Sequence, residues 1–122
     1  MKKEIFKHEI IILKNTYTRL LRRNAKTILI KLIKKTHPAD LAIIFRYFDD
    51  EQQHEVFSLM KNNEHTVEFL TELDDVFIGK LLNLESTDRI TKIIQDASTN
   101  DQSYIINALE NAHAKSIINQ LK

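Results

Sequence analysis

The chain predicts an all-α fold: a right-handed superhelical array, or α-solenoid, of short helices with a period of about twelve residues. Three observations carry this. Stepping by twelve from Phe45 meets Phe57, Phe69, Leu81, Ile93, Ile105 and Ile117, all large and apolar. Asp50, Asn62, Asp74, Ser86, Ser98 and Glu110 recur with the same period. Most of these have a side-chain oxygen suited to accept from the free N–H groups that open a helix. One Gly and one Pro in 122 residues leave few markers for tight β-turns and few helix breakers. A heptad coiled coil fails, because the period is wrong and cap residues interrupt every beat.

Taken in order, Ile5, Phe6, Ile10, Ile11, Ile12 and Leu13 form a loose helical stripe, although three consecutive isoleucines also suit a strand. Asn15-Thr16-Tyr17-Thr18 holds cap formers and is expected to break or kink this helix. Leu20 and Leu21 begin a second apolar stretch. Ile28, Leu29, Leu32 and Ile33 then make an amphipathic helix of Ala25 to Lys35, with lysines at 26, 31, 34 and 35. Thr36-His37-Pro38 stops it, since the residue before proline is biased out of the α region and Pro suits a first helical turn. Asp40 sets a carboxylate at the positive end of the next helix dipole.

Leu41 to Phe48 is the first helix of the array. Asp49-Asp50-Glu51 opens the second, through Met60, and Asn62-Asn63-Glu64 the third, to Leu73. Asp74-Asp75 opens the fourth, to Leu84; Ser86-Thr87-Asp88 the fifth, to Ala97; Ser98 to Asp101 the sixth, to Leu109. Asn111 opens the seventh, which holds Ile117, Ile118 and Leu121. Helices this short do not persist alone in water, so each must bury its stripe against the others. The apolar end at Ile117, Ile118 and Leu121 is expected to meet a continuation or a partner chain, a homodimer being one form of it.

Charge divides the chain. Residues 1–36 carry 11 Lys or Arg against two Glu, +9; residues 37–122 carry 7 basic against 15 acidic residues, −8. Two regions follow: 1–36, a basic helical segment packing on the array, and 37–122, the short-helix repeat, together one structural domain. There is no cysteine, which excludes disulfides and thiolate metal sites and suits a reducing compartment. The longest apolar runs, Ile10 to Leu13 and Leu41 to Phe45, are four and five residues, far short of the roughly 20 that span a bilayer. Glu4, His8 and Glu9 interrupt what a signal peptide would need. A cytoplasmic protein is expected.

His37-Pro38-Ala39-Asp40-Leu41-Ala42, followed by Phe48-Asp49-Asp50-Glu51 and by Leu73-Asp74, resembles the cytosolic N-terminal domain of the MgtE family of magnesium transporters, over residues 25 to 122. Middle segments of flagellar motor-switch proteins of the FliG type share a similar His-Pro opening and armadillo-like helices. Ala39-Asp40-Leu41-Ala42 leans towards the transporter domain. The chain departs from that pattern in three ways. Asp75 stands where Leu-Asp-Pro would put a proline, residues 1–24 are basic where such domains tend to be acidic, and no CBS domains or membrane helices follow. The chain is therefore not expected to conduct an ion itself.

The resemblance implies regulation. In the family the N domain packs against paired CBS domains when intracellular Mg2+ is high, ions bridge carboxylates across that contact, and the pore is held shut. Mg2+ takes oxygen ligands and keeps several waters, so a domain offering one or two carboxylates is a half-site completed by its partner. Asp49, Asp50, Asp74 and Asp75 are the candidate Mg2+ half-site, with Mg2+ as the implied ion. The commoner role for such acids is helix capping.

Arg19, Arg22, Arg23 and Lys26 are a candidate surface for a partner or for anionic lipid, at the inner face of the membrane. Nucleic acid is disfavoured, because the rest of the chain is acidic and Tyr17 alone among the clustered arginines offers a ring for stacking. His37, Pro38, Ala39 and Asp40 form a structural motif. His8, His37, His54, His65 and His113 show no metal-ligand spacing. With no Gly-rich phosphate loop and no Gly-x-Ser-x-Gly, an enzyme is not expected. The alternative to magnesium-linked regulation is a helical-repeat interaction scaffold that binds no ion.

Overall fold

The computed structural model describes the backbone of residues 2–122 and the side chains of residues 7–122. Ile5 and Phe6 of the first stripe, and Glu4, lie outside the described side chains. Among the described residues there are nine α-helices and no strand: α1 (Lys2–Arg22), α2 (Lys26–Lys35), α3 (Pro38–Phe45), α4 (Asp50–Ser58), α5 (Asn63–Thr71), α6 (Asp75–Leu82), α7 (Thr87–Ile94), α8 (Thr99–Ile106) and α9 (Asn111–Leu121). They form two compact units, residues 1–61 and residues 62–122.

The twelve-residue register is the core. Phe45, Phe57, Phe69, Leu81, Ile93, Ile105 and Ile117 are all buried, none more than 7% exposed. The neighbouring register is buried only at Leu70, Leu82 and Ile94, and by Ile118 it is 42% exposed. The caps follow the same beat. Side chains of Asp49, Asn62, Asp74, Ser86 and Ser98 accept from backbone N–H groups three residues on, at 2.8–3.1 Å. The first of these caps is Asp49, not Asp50, because thirteen residues rather than twelve separate it from Asn62. Gln52 returns the bond to the Asp49 N–H at 3.0 Å, closing a capping box. Glu110 holds the last cap position without a side-chain bond.

One geometry explains how a chain with a single glycine turns so often. The array helices leave through residues that stay in the right-handed α region, at Arg46, Leu59, Glu72, Asn83, Gln95 and Asn107. Bonds from N–H(i) to C=O(i−3) tighten the exit, as in Tyr47 to Ile44 at 2.9 Å and Leu109 to Ile106 at 3.0 Å. The chain then steps to an extended cap and starts again. No left-handed residue is needed. Remaining carbonyls at helix ends are met by long side chains: Gln53 Nε2 donates to Phe45 O and Phe48 O at 2.9 and 3.1 Å, and Gln102 Nε2 to Ile94 O at 2.8 Å.

In residues 1–61, α1 packs on α2 and on α3. The Tyr17 and Phe48 rings lie 5.9 Å apart and the Phe45 and Phe48 rings 5.6 Å, both tilted, a favoured aromatic arrangement. The expected break at Asn15 to Thr18 does not occur, and α1 runs through it. Thr16 and Thr18 donate back to Ile12 O and Lys14 O at 3.0 and 2.9 Å, so their hydroxyls are satisfied within the helix instead of ending it. Between them Tyr17 is fully buried. Its hydroxyl meets Thr36 Oγ1 at 2.7 Å, and Thr36 donates to Leu32 O at 2.7 Å. With the Thr36 proton committed, Tyr17 is the donor.

Burial pushes the Tyr17 phenol from 10.0 up to about 12, the Thr36 hydrogen bond pulling the other way. The raised folded-state value means that this contribution to stability is whole below pH 10.0 and is lost as pH rises through about 12. In that window the unfolded chain ionises while the folded chain keeps its proton. About 2–3 kcal/mol of stability is expected to drain away. Urea unfolding across this range should show the decline in the native chain and a shallower one in Tyr17→Phe.

In residues 62–122, helices two apart pack together, α5 on α7 and α7 on α9, and α5 also meets α8. Tyr104 reaches back to donate to Leu73 O at 2.6 Å, and Asn63 Nδ2 donates to Lys92 O at 3.1 Å. The buried threonines Thr66 and Thr91 bond to carbonyls four residues earlier, Asn62 O and Thr87 O, both at 2.8 Å. Gly79 is buried on α6, and a Cβ there would stand 2.9 Å from Ala108 O.

Candidate functional site

A basic surface and a set of acidic helix starts carry the candidate residues. The basic one is built on the turn between α1 and α2. Ala25 N bonds to Leu20 O at 3.0 Å and Asn24 N to Leu21 O at 3.1 Å, with Asn24 at φ 56°. This is a Schellman stop with asparagine in the left-handed place that glycine usually takes. Composition did not flag Asn24, although asparagine is the commonest substitute for glycine there. The turn leaves Arg19, Arg22 and Arg23 exposed at the end of α1. With Lys14, Asn15 and Thr18 they line a groove of about 390 Å³. Lys26 is exposed at the first position of α2 and does not line it. Part of this charge serves the helices, since cations in the last turn favour the negative end of the dipole. Lys26, at an opening turn, is not explained that way.

The acidic candidates stand at helix starts, in each unit separately. Asp49 Oδ1 accepts from Gln52 N at 2.8 Å, Asp74 Oδ1 from Phe77 N at 2.8 Å, and Asp75 Oδ1 from Val76 N at 2.9 Å. Asp50 opens α4. All four are exposed. Asp49 and Asp50 fall in residues 1–61, Asp74 and Asp75 in residues 62–122. A second group of acids emerges from the packing of alternate helices. A cleft of about 440 Å³ is lined by Glu64 and Glu68 of α5, Asp96 after α7 and Asp101 of α8. The i, i+4 pair Glu64 and Glu68 was visible in sequence. Its meeting with Asp96 and Asp101 was not, because it depends on α5 touching α7 and α8.

Mg2+ is commonly held by one or two carboxylates and several waters. Asp49, Asp74 and Asp75 suit that role in part, each exposed with one oxygen bonded to backbone. The positive end of the helix dipole opposes a cation there, so these acids fit as contributors to a shared shell rather than as a cage. Among the described residues, no group of three or more His, Cys, Asp or Glu stands close enough to hold an ion.

The His-Pro motif is a helix start. Nδ1 of His37 accepts from Ala39 N at 3.1 Å, Pro38 is buried in the first turn, and Asp40 lies beside it. His37 is thus the first cap of the array, twelve residues before Asp49.

This start is also where family similarity begins. Residues 36–122 match the MgtE intracellular N domain. The chain belongs to that family. No curated protein and no solved structure matches it. The match opens one residue before the His37 cap and runs through α3 to α9, so the MgtE N domain of this chain is the capped helical array. The basic hairpin of α1 and α2 lies ahead of the matched residues. The family is that of Mg2+ transporters, whose parts include CBS domains and a membrane portion. No helix of the described residues is long and apolar enough to cross a membrane.

Proposed function

We propose that this chain is a regulatory domain of an MgtE-type Mg2+ transport system, docking on partner CBS domains through Mg2+-bridged carboxylates and so gating transport. Membership of the MgtE intracellular N domain family carries the reading. Exposed carboxylates at Asp49, Asp50, Asp74 and Asp75 support it, as does the cleft of Glu64, Glu68, Asp96 and Asp101. The physics is a linkage. An acidic face and a partner with acids of its own repel when no cation is present. An ion sharing ligands from both sides turns its own binding free energy into docking free energy, reciprocally. Weak ligands on each side keep the response in the concentration range of the free ion.

The test is sedimentation of the chain mixed with a CBS-domain pair from an MgtE-type transporter, over rising Mg2+. A complex is expected in millimolar Mg2+, dissolved by chelator and weakened in Asp74→Asn/Asp75→Asn. Asparagine keeps the cap at position 74, so weaker docking there would not reflect a lost helix start. The same array also fits a helical-repeat scaffold that binds proteins without an ion. Docking that ignores the chelator would decide for that alternative.

A further inference from the structure

We propose that the outward face of the α1–α2 hairpin is a docking surface for an anionic lipid bilayer, a role separate from magnesium-linked docking. From Ile10 to Thr36 the chain has eight Lys or Arg and no Asp or Glu. From Ile11 onward the exposed residues of α1 recur at helical spacing, Ile11 and Ile12, then Asn15, then Arg19 and Arg22. On α2 Ile28 is exposed together with Lys26, Thr27, Lys31, Lys34 and Lys35. Each helix therefore pairs exposed isoleucine with cations on its solvent side. Ile11, Ile12 and Ile28 are 52%, 53% and 56% exposed, although both helices have an inner face where apolar residues are buried.

That pairing fits a membrane surface better than other polyanions. Interfacial helices set apolar residues at the headgroup boundary and Lys or Arg among the lipid phosphates. Intracellular leaflets are anionic, and the family's domain is described as intracellular. The groove lined by Lys14, Arg19, Arg22 and Arg23 supplies donors for a headgroup phosphate. Single-stranded nucleic acid instead asks for exposed rings. Tyr17, the one aromatic side chain from Ile10 to Thr36, is fully buried.

The experiment is vesicle co-sedimentation of the full chain in chelator, with phosphatidylcholine alone or mixed with phosphatidylglycerol. Binding is expected only to the mixed vesicles and should fall as salt rises. Arg19→Gln/Arg22→Gln/Lys31→Gln/Lys35→Gln should lose roughly 100-fold or more in partitioning, since each cation near such a surface is worth about fivefold. Arg19→Lys/Arg22→Lys should keep it, with circular dichroism as the check that both variants remain helical. Ile11→Ser/Ile12→Ser/Ile28→Ser should weaken vesicle binding while leaving any binding to duplex DNA unchanged. Equal binding to both vesicle types, no binding to the mixed vesicles, or tighter binding to DNA than to vesicles would each overturn the proposal.

Discussion

Replacing Phe45 with alanine is expected to lower the free energy of unfolding by about 3–5 kcal/mol, the usual range for truncating a buried phenylalanine. Phe45 has no exposed surface, stands on the twelve-residue register, and stacks on Phe48, which in turn meets Tyr17. Truncation removes the transfer free energy of the ring and leaves a void between aromatic partners that cannot collapse freely. Ile118→Ala is the control. It stands one residue off the register at 42% exposure, and its cost should stay below about 1 kcal/mol. Urea midpoints of the two variants measure the contrast. Similar losses would mean that the repeat does not define the core.

The second large effect concerns the one glycine. In a helix interior Gly→Ala ordinarily gains about 1 kcal/mol. At position 79 the new Cβ would meet a backbone carbonyl, Ala108 O, at 2.9 Å, with Asn83 Nδ2 at 3.4 Å. A backbone carbonyl in the turn after α8 cannot swing aside as a side chain would. Overpacking of this kind costs about 1–3 kcal/mol, so Gly79→Ala should come out destabilising, and Gly79→Leu more so. A stabilised Gly79→Ala would show that α6 and α8 are free to separate. Reduced hydrogen-exchange protection confined to residues 62–122 would locate the damage.

The fold was legible where one local rule repeats. Seven apolar residues, each twelve residues from the next, mark the core that the helices bury. The misses have local causes. One extra residue between Asp49 and Asn62 moved the cap from Asp50 to Asp49. Threonine hydroxyls can bond backward as readily as they cap, and at Thr16 and Thr18 the backward bond prevailed, keeping α1 whole. The candidate site was legible as a set of acids, but their arrangement was not. Asp49 and Asp74 look the same in sequence whether they cap or coordinate, and only the 2.8 Å bonds to Gln52 N and Phe77 N give them the first duty. The Glu64, Glu68, Asp96 and Asp101 cleft needed the contacts between α5, α7 and α8, which no linear spacing encodes.

The joints between array helices are built from interchangeable residues. They close on right-handed residues and restart on a cap that Asp, Asn or Ser fills about equally well; this chain uses all three, at Asp49 and Asp74, at Asn62, and at Ser86 and Ser98. Exchanging one for another alters the electric field of the surface by a full charge at almost no cost to the helix it starts. Such a scaffold lets its electrostatics drift while its architecture stays still. Relatives with the same core could then differ widely in how much cation they need before they close on a partner.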